Sequence, residues 1–182
     1  MRTIEILLDQ DAECPDGWDD QWKLYSFCTR HAHYANPGGL LQDDFGNTPI
    51  GLRRKLTVGT AFFLSYFEHG RCRWGLAGSM DGMPDFQWDG VGVAGLLVWE
   101  HPVSHLGPKT RKDREADAEC FLSAFTAWAN GDVYGYVVRD DDGEELDSCF
   151  GFYGDDIRRA VADAEQDFGP LEPTGDLAVA IL

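Results

Sequence analysis

The chain has 182 residues, of which 43% are hydrophobic and 13% aromatic, a composition that argues against intrinsic disorder. It carries 32 acidic residues against 15 basic ones, a formal net charge of −17. Because a phosphate backbone is held by cations, this balance argues against direct binding of nucleic acid or an anionic membrane. It favours a partner protein with a basic surface.

The first half of the chain predicts mainly strands. Apolar residues alternate with others from Thr3 to Leu8, and more weakly from Trp22 to Phe27. Residues 36–55 contain Gly and Pro and predict a long loop. Aromatic and β-branched residues predict a central strand over residues 56–67, and the run Val91 to Trp99 is apolar on both faces, as in a strand inside a sheet.

The second half predicts two helices around a hairpin. The clearest helix extends from Thr110 to Asn130, with Thr110 as its cap and an apolar stripe that includes Phe125. A hairpin with a turn at 140–143 follows, and the last helix is predicted over residues 155–166.

This order of elements is not the alternation that produces a parallel sheet. We therefore predict the α+β class, with a mostly antiparallel sheet and two helices packed on it. The length predicts a single α+β domain over residues 1–172, followed by a C-terminal tail over residues 173–182.

The cysteines and the chain ends indicate a cytoplasmic protein. The cysteine number is odd and no CxxC pair occurs, which is typical of reduced thiols. The apolar stretch Ile4 to Leu8 is too short for the apolar region of a signal peptide, and no apolar run approaches the ~20 residues of a membrane span, so we expect neither. The five cysteines are Cys14, Cys28, Cys72, Cys120 and Cys149.

Several phrases of the sequence resemble phrases of one group of proteins. The two most specific are Gly131 to Tyr136 and Asp147 to Gly154, and weaker ones are Ile4 to Asp19, Phe67 to Gly70 and Trp88 to Gly92. In this combination the chain resembles accessory proteins of bacteriophages and integrated mobile elements. The resemblance implies a phage-type accessory protein in the host cytoplasm and implies no mechanism or cofactor.

A nucleophilic site is one chemical hypothesis. Cys149 is the candidate nucleophile, His69 the candidate base, and Asp147 or Asp89 the group that orients the imidazole, since a Cys–His pair forms a thiolate at neutral pH. The competing interpretation, which we favour, makes Cys149 a small buried residue of the hairpin.

A metal site is a second hypothesis. Cys28, His31 and His33 are close in sequence, and histidines two apart on a strand point the same way. A fourth ligand would come from Cys14 or Cys72. The competing interpretation, two loop histidines beside a buried cysteine, is favoured, so we predict no metal and no other cofactor.

Aromatic and acidic residues in loops suggest a protein-binding surface. Trp18, Trp74 and Trp88 lie in stretches rich in Gly and Asp, where exposed aromatic rings serve as interface anchors. The turn Asp140, Asp141 and Asp142 adds negative charge.

Three functions follow from these observations. The first, which we favour, is a non-enzymatic phage-type protein that binds and modulates or inhibits a host protein, such as a defence or nucleic-acid-handling enzyme. The second is a small hydrolase that uses Cys149 and His69. The third is a virion or structural component.

Overall fold

A computed structural model describes residues 1–43 and 45–181. Within them it contains strands that form two four-stranded sheets and helices that pack on those sheets. The strands are β1 (Thr3–Leu8), β2 (Trp22–Ser26), β3 (Ala61–His69), β4 (Arg71–Leu76), β5 (Gly90–Trp99), β6 (Val133–Arg139), β7 (Glu145–Tyr153) and β8 (Glu172–Thr174). The helices are α1 (Pro37–Leu41), α2 (Ile50–Val58), α3 (Phe86–Asp89), α4 (Arg111–Ala129), α5 (Asp156–Phe168) and α6 (Asp176–Ile181).

This inventory confirms the α+β class and its antiparallel character. Every strand pair is antiparallel except the pairing of β1 with β8. The described part of the chain has six helices rather than the expected two, and two sheets rather than one.

The contacts of the chain divide it into two compact units. The first unit comprises residues 1–13 and 127–182, and the second comprises residues 14–126. The expected division into a domain over 1–172 and a tail over 173–182 stays a prediction, although the expected tail contains most of β8 and all of α6.

The first unit is a sheet in the order β7-β6-β1-β8. Ile4 and Ile6 of β1 point to one face because side chains alternate along a strand, and both are buried. They pack with Val138 of β6 against Ile157 and Val161 of α5. This cluster is the core of the unit.

The second unit is a sheet in the order β2-β5-β3-β4 with helices on both faces. Strand β5 lies between β2 and β3, as its two-sided apolar pattern predicts. Leu96 of β5 faces Leu52 and Leu56 of α2. On the opposite face, the ring of Trp74 on β4 contacts Phe125 of α4. This sheet is therefore covered by helices on both of its faces.

Helix α4 begins and ends as its sequence predicts. The Thr110 hydroxyl accepts from the Asp113 backbone N–H at 3.2 Å, and the Asp113 carboxylate accepts from the Thr110 N–H at 3.3 Å, which forms a reciprocal capping box. The Thr110 hydroxyl also donates to the Asp113 carboxylate at 2.6 Å, and this bond, together with the one from the Thr110 N–H, lowers the pKa of Asp113. The predicted core residue Phe125 is buried.

The predicted loop over residues 36–55 contains α1 and most of α2, so that expectation is wrong. The last residues of α2 are those expected to begin the central strand, which instead begins at Ala61. Arg111 donates to the Leu56 carbonyl at 2.9 Å and Arg114 to the Val58 carbonyl at 2.8 Å. Cations on terminal carbonyls stabilise a helix end, and these come from more than fifty residues along the chain.

None of the helices in the described residues combines the length and apolar character that crossing a membrane requires.

Candidate functional site

The β6–β7 hairpin presents an acidic surface on a fixed backbone. Within the turn, the Asp140 carboxylate accepts from the N–H groups of Asp142 and Glu144, both at 2.9 Å. The side chains of Asp141, Asp142, Glu144 and Glu145 are exposed. Asp141 also contacts the N-terminal amine. The turn thus displays several carboxylates whose backbone positions are set by local hydrogen bonds.

Strand β7 is the edge of its sheet. Among the described residues of the first unit it pairs with β6 alone. Leu146 and Phe150 on this strand are large apolar side chains with substantial exposure. An exposed edge strand offers unpaired backbone groups to another chain, so the hairpin combines charge, apolar area and backbone donors and acceptors.

The negative charge is unevenly divided between the two units. The first unit holds 18 acidic and four basic residues, a net formal charge of −14 over 69 residues. The second unit holds 14 acidic and 11 basic residues, a net charge of −3 over 113 residues. Most of the chain's excess acid therefore belongs to the unit that carries the hairpin.

Cys149 lies on β7 and is exposed, so the expectation of a buried hairpin cysteine is wrong. Its partner across the sheet, Tyr136, is buried beneath α5, but that core does not include the edge strand at Cys149. The thiol contacts the Phe150 carbonyl at 3.9 Å. The Asp147 carboxylate accepts from the Tyr136 hydroxyl at 2.9 Å.

The predicted base and one predicted orienting group do meet. His69 Nδ1 lies 2.8 Å from the Asp89 carboxylate, and this hydrogen bond raises the pKa of His69. The imidazole is largely exposed. His69 belongs to the second unit and Cys149 to the first, so the second unit supplies the base and its orienting carboxylate without the nucleophile.

The three predicted tryptophan anchors differ in exposure. Trp88 on α3 is 78% exposed and lies between Asp85 and Asp89 in the chain. Trp18 is partly buried. Trp74 is only 6% exposed, because β4 places it against α4, and this corrects its assignment to an exposed loop.

The predicted ligands Cys28, His31 and His33 are not brought together. They lie in turns rather than on a strand, so the expected alternation is absent. His31 Nδ1 lies 2.7 Å from the Ser26 hydroxyl, and burial lowers the pKa of His31. The Cys28 thiol accepts from Arg30 at 3.4 Å.

His33 instead meets Cys14 and Asp16. His33 Nε2 lies 3.2 Å from Asp16 Oδ1 and 3.7 Å from Cys14 Sγ, and that thiol lies 3.3 Å from Asp16 Oδ1. Burial raises the pKa of Cys14 to about 12, which favours the protonated thiol. The sequence pattern predicts Cys14 only as a distant fourth ligand and does not single out Asp16. The sequence signal for this cluster is the spacing of Cys14 and Asp16, which lie two residues apart on either side of Pro15.

The two basic runs of the sequence, 53–55 and 109–114, contribute to one cavity of about 500 Å³ in the second unit. Arg54, Lys55 and Arg114 line it. Lys55 donates to the Trp99 carbonyl at 2.9 Å and Arg114 to the Val58 carbonyl. Lys55 and Arg114 therefore both donate hydrogen bonds to backbone carbonyls of the second unit.

No family model, curated protein or solved structure matches the chain. The site residues therefore have to be interpreted from their own geometry.

Proposed function

We propose that this protein is a phage-type accessory protein that binds and modulates or inhibits a host protein with a basic groove. The observation that carries the proposal is the acidic β6–β7 hairpin at an exposed sheet edge. A defence or nucleic-acid-handling enzyme is the class of partner that fits, because its groove is built to attract negative charge.

Charge complementarity supports this choice of partner. The first unit has a net charge of −14, and opposite surface potentials accelerate encounter and disfavour wrong partners. Exposed charges act over about 8–10 Å at physiological ionic strength, so the local density on the hairpin matters more than the total charge.

The hairpin also offers the contacts that hold a complex after encounter. Leu146 and Phe150 supply apolar area beside the carboxylates, and apolar area at the centre with polar groups at the rim is the usual anatomy of an interface. The free edge of β7 gives backbone groups that an extended segment of the partner can pair with.

A charge-neutralised hairpin tests the proposal. We would replace Asp141, Asp142 and Glu144 in the triple variant D141N/D142N/E144Q, since all three side chains are exposed. The tagged wild-type protein is used to capture partners from a bacterial lysate, and each captured protein is then purified and its binding kinetics are measured directly. We expect the association rate of the variant to fall about tenfold at low salt.

The matched control removes the same charge elsewhere in the first unit. The triple variant E165Q/D167N/E172Q also gains three charge units, at exposed positions of α5 and β8. It should bind with the wild-type rate. An equal fall of the association rate in both triple variants would show a non-specific charge effect. A purified partner that binds the wild type and both variants equally would refute the hairpin as the interface.

A further inference from the structure

Three side chains of different chemistry converge in the second unit. The thiol of Cys14, the carboxylate of Asp16 and the imidazole of His33 place one potential ligand atom each within 4.8 Å of the others. The three separations between these atoms are 3.2, 3.3 and 3.7 Å. No proposed role of the hairpin uses them.

These separations match the edges of a tetrahedral zinc site. Zinc binds sulfur at about 2.3 Å and nitrogen or carboxylate oxygen at about 2.0–2.2 Å. At the tetrahedral angle, neighbouring ligand atoms then lie roughly 3.4–3.6 Å apart. The observed triangle of Cys14, Asp16 and His33 deviates from these edges by only a few tenths of an ångström.

We propose that Cys14 Sγ, Asp16 Oδ1 and His33 Nε2 bind one zinc ion. A thiolate and an imidazole favour zinc over magnesium or calcium, which prefer oxygen ligands. Three protein ligands leave a fourth position for water or another small ligand, as in zinc sites that are not closed by protein. On binding, the thiol proton is released to solvent as the sulfur–zinc bond forms.

The backbone fixes both arms of the site before any ion arrives. Cys14 and Asp16 flank Pro15 in a short 3₁₀ turn closed by the hydrogen bond from Gly17 N–H to the Cys14 carbonyl at 3.0 Å. His33 lies in a loop fastened to the end of β2. The Ser26 N–H donates to the His33 carbonyl at 2.8 Å. A site built on fixed backbone loses little entropy when the ion binds.

The surroundings orient the carboxylate toward the other two ligands. The Asp16 side chain is only 5% exposed, and its second oxygen, Oδ2, lies 3.2 Å from the ammonium of Lys23. Oδ1 therefore faces Cys14 and His33. The His33 ring packs edge-on against Phe125, with ring centroids 5.2 Å apart, which restricts its rotation. Outer groups of this kind hold ligands in place in metal sites.

A zinc titration of the full chain tests the proposal. The protein is stripped with a chelator, exchanged into chelator-free buffer, and titrated with zinc against a chromophoric competitor that gives stoichiometry and affinity. We expect one ion per chain. Cobalt in place of zinc should give a thiolate-to-metal charge-transfer band, which reports sulfur ligation independently of affinity.

Single variants assign the ligands. C14S and H33Q should each weaken zinc binding by at least about 100-fold, more than the ~10–100-fold cost of losing an outer-shell partner. The charge-transfer band should disappear in C14S and change in H33Q. The Cys14 and His33 side chains are both partly rather than fully buried.

Matched controls replace the same residue types elsewhere in the second unit. C28S removes another partly buried thiol of this unit and H105Q an exposed imidazole, and both variants should bind zinc within threefold of the wild type. Substoichiometric binding, or equal affinity in C14S and C28S, would overturn the proposal. Loss of binding in C28S with C14S unaffected would assign the site to the other cysteine and would equally overturn it.

Discussion

Truncation of Phe125 gives the sharpest test of how α4 is held on its sheet. The side chain is 3% exposed, and its ring contacts Trp74, Phe121 and His33 at centroid distances of 6.3, 6.1 and 5.2 Å. F125A removes a buried ring and leaves a cavity, because neighbouring side chains relax only partially. We expect a loss of about 3–5 kcal/mol in the free energy of unfolding.

Urea denaturation followed by tryptophan fluorescence measures this loss in the correct unit. Five of the six tryptophans belong to residues 14–126, so their signal reports the second unit. The matched control is F45A, since Phe45 is 88% exposed and its removal should change stability by less than about 0.5 kcal/mol. A loss below about 1 kcal/mol for F125A, with an unchanged denaturant slope, would refute the proposed packing.

Four further outcomes are expected. G135A should cost about 1–3 kcal/mol, because an added methyl group overlaps the Phe150 ring, and the cost measured by urea denaturation should shrink in an F150A background. The His69 imidazole should titrate above its ordinary pKa in an NMR experiment and return toward it in D89N; the stabilisation from this pair is complete below the unfolded-state pKa and is lost as pH rises through the raised one. In thiol labelling of the native protein, exposed Cys149 should react at the rate of an unfolded control, whereas a rate well above that control at mildly acidic pH would indicate an activated thiolate and favour the hydrolase. In a gel-shift assay the protein should not bind random-sequence DNA, and tight binding that falls steeply with salt would contradict this.

Long periodic or two-sided apolar patterns predicted their elements well. Helix α4 combines a capping box at Thr110 with a stripe that buries Phe125, and β5 is apolar on both faces. Local propensity, capping and burial agree in these two elements, so a short stretch of sequence is enough to predict each of them.

The local sequence does not predict helix α2, because part of the stabilisation of this helix comes from distant residues. It follows Pro49 and contains the basic run 53–55, and it ends where the side chains of Arg111 and Arg114 donate to its last carbonyls. Residues 36–55 alone give no indication that Arg111 and Arg114 contact this helix. Tertiary contacts overrode a weak local signal.

The sequence predicts only part of the candidate zinc site, because tertiary contacts bring its ligands together. The sequence predicts His33 as a ligand but groups it with Cys28 and His31, because a strand would point both histidines the same way. The chain instead turns at residues 28–34, so His31 and His33 have different surroundings. Proximity to Cys14 depends on how this loop is fastened to the end of β2, which spacing does not encode.

The glycines in the most specific phrases of the sequence resemblance are explained by the backbone of the hairpin. Gly135 allows the Phe150 ring to lie directly over β6, and Gly151 adopts a φ of +91° where β7 bulges against its partner. A side chain at either position is opposed by overlap or by backbone strain. A sequence phrase that these backbone requirements explain indicates a hairpin but gives no evidence for a chemical function. The partner-binding residues we propose, the exposed acids of the turn, lie between the two phrases, where the backbone leaves side chains free to vary.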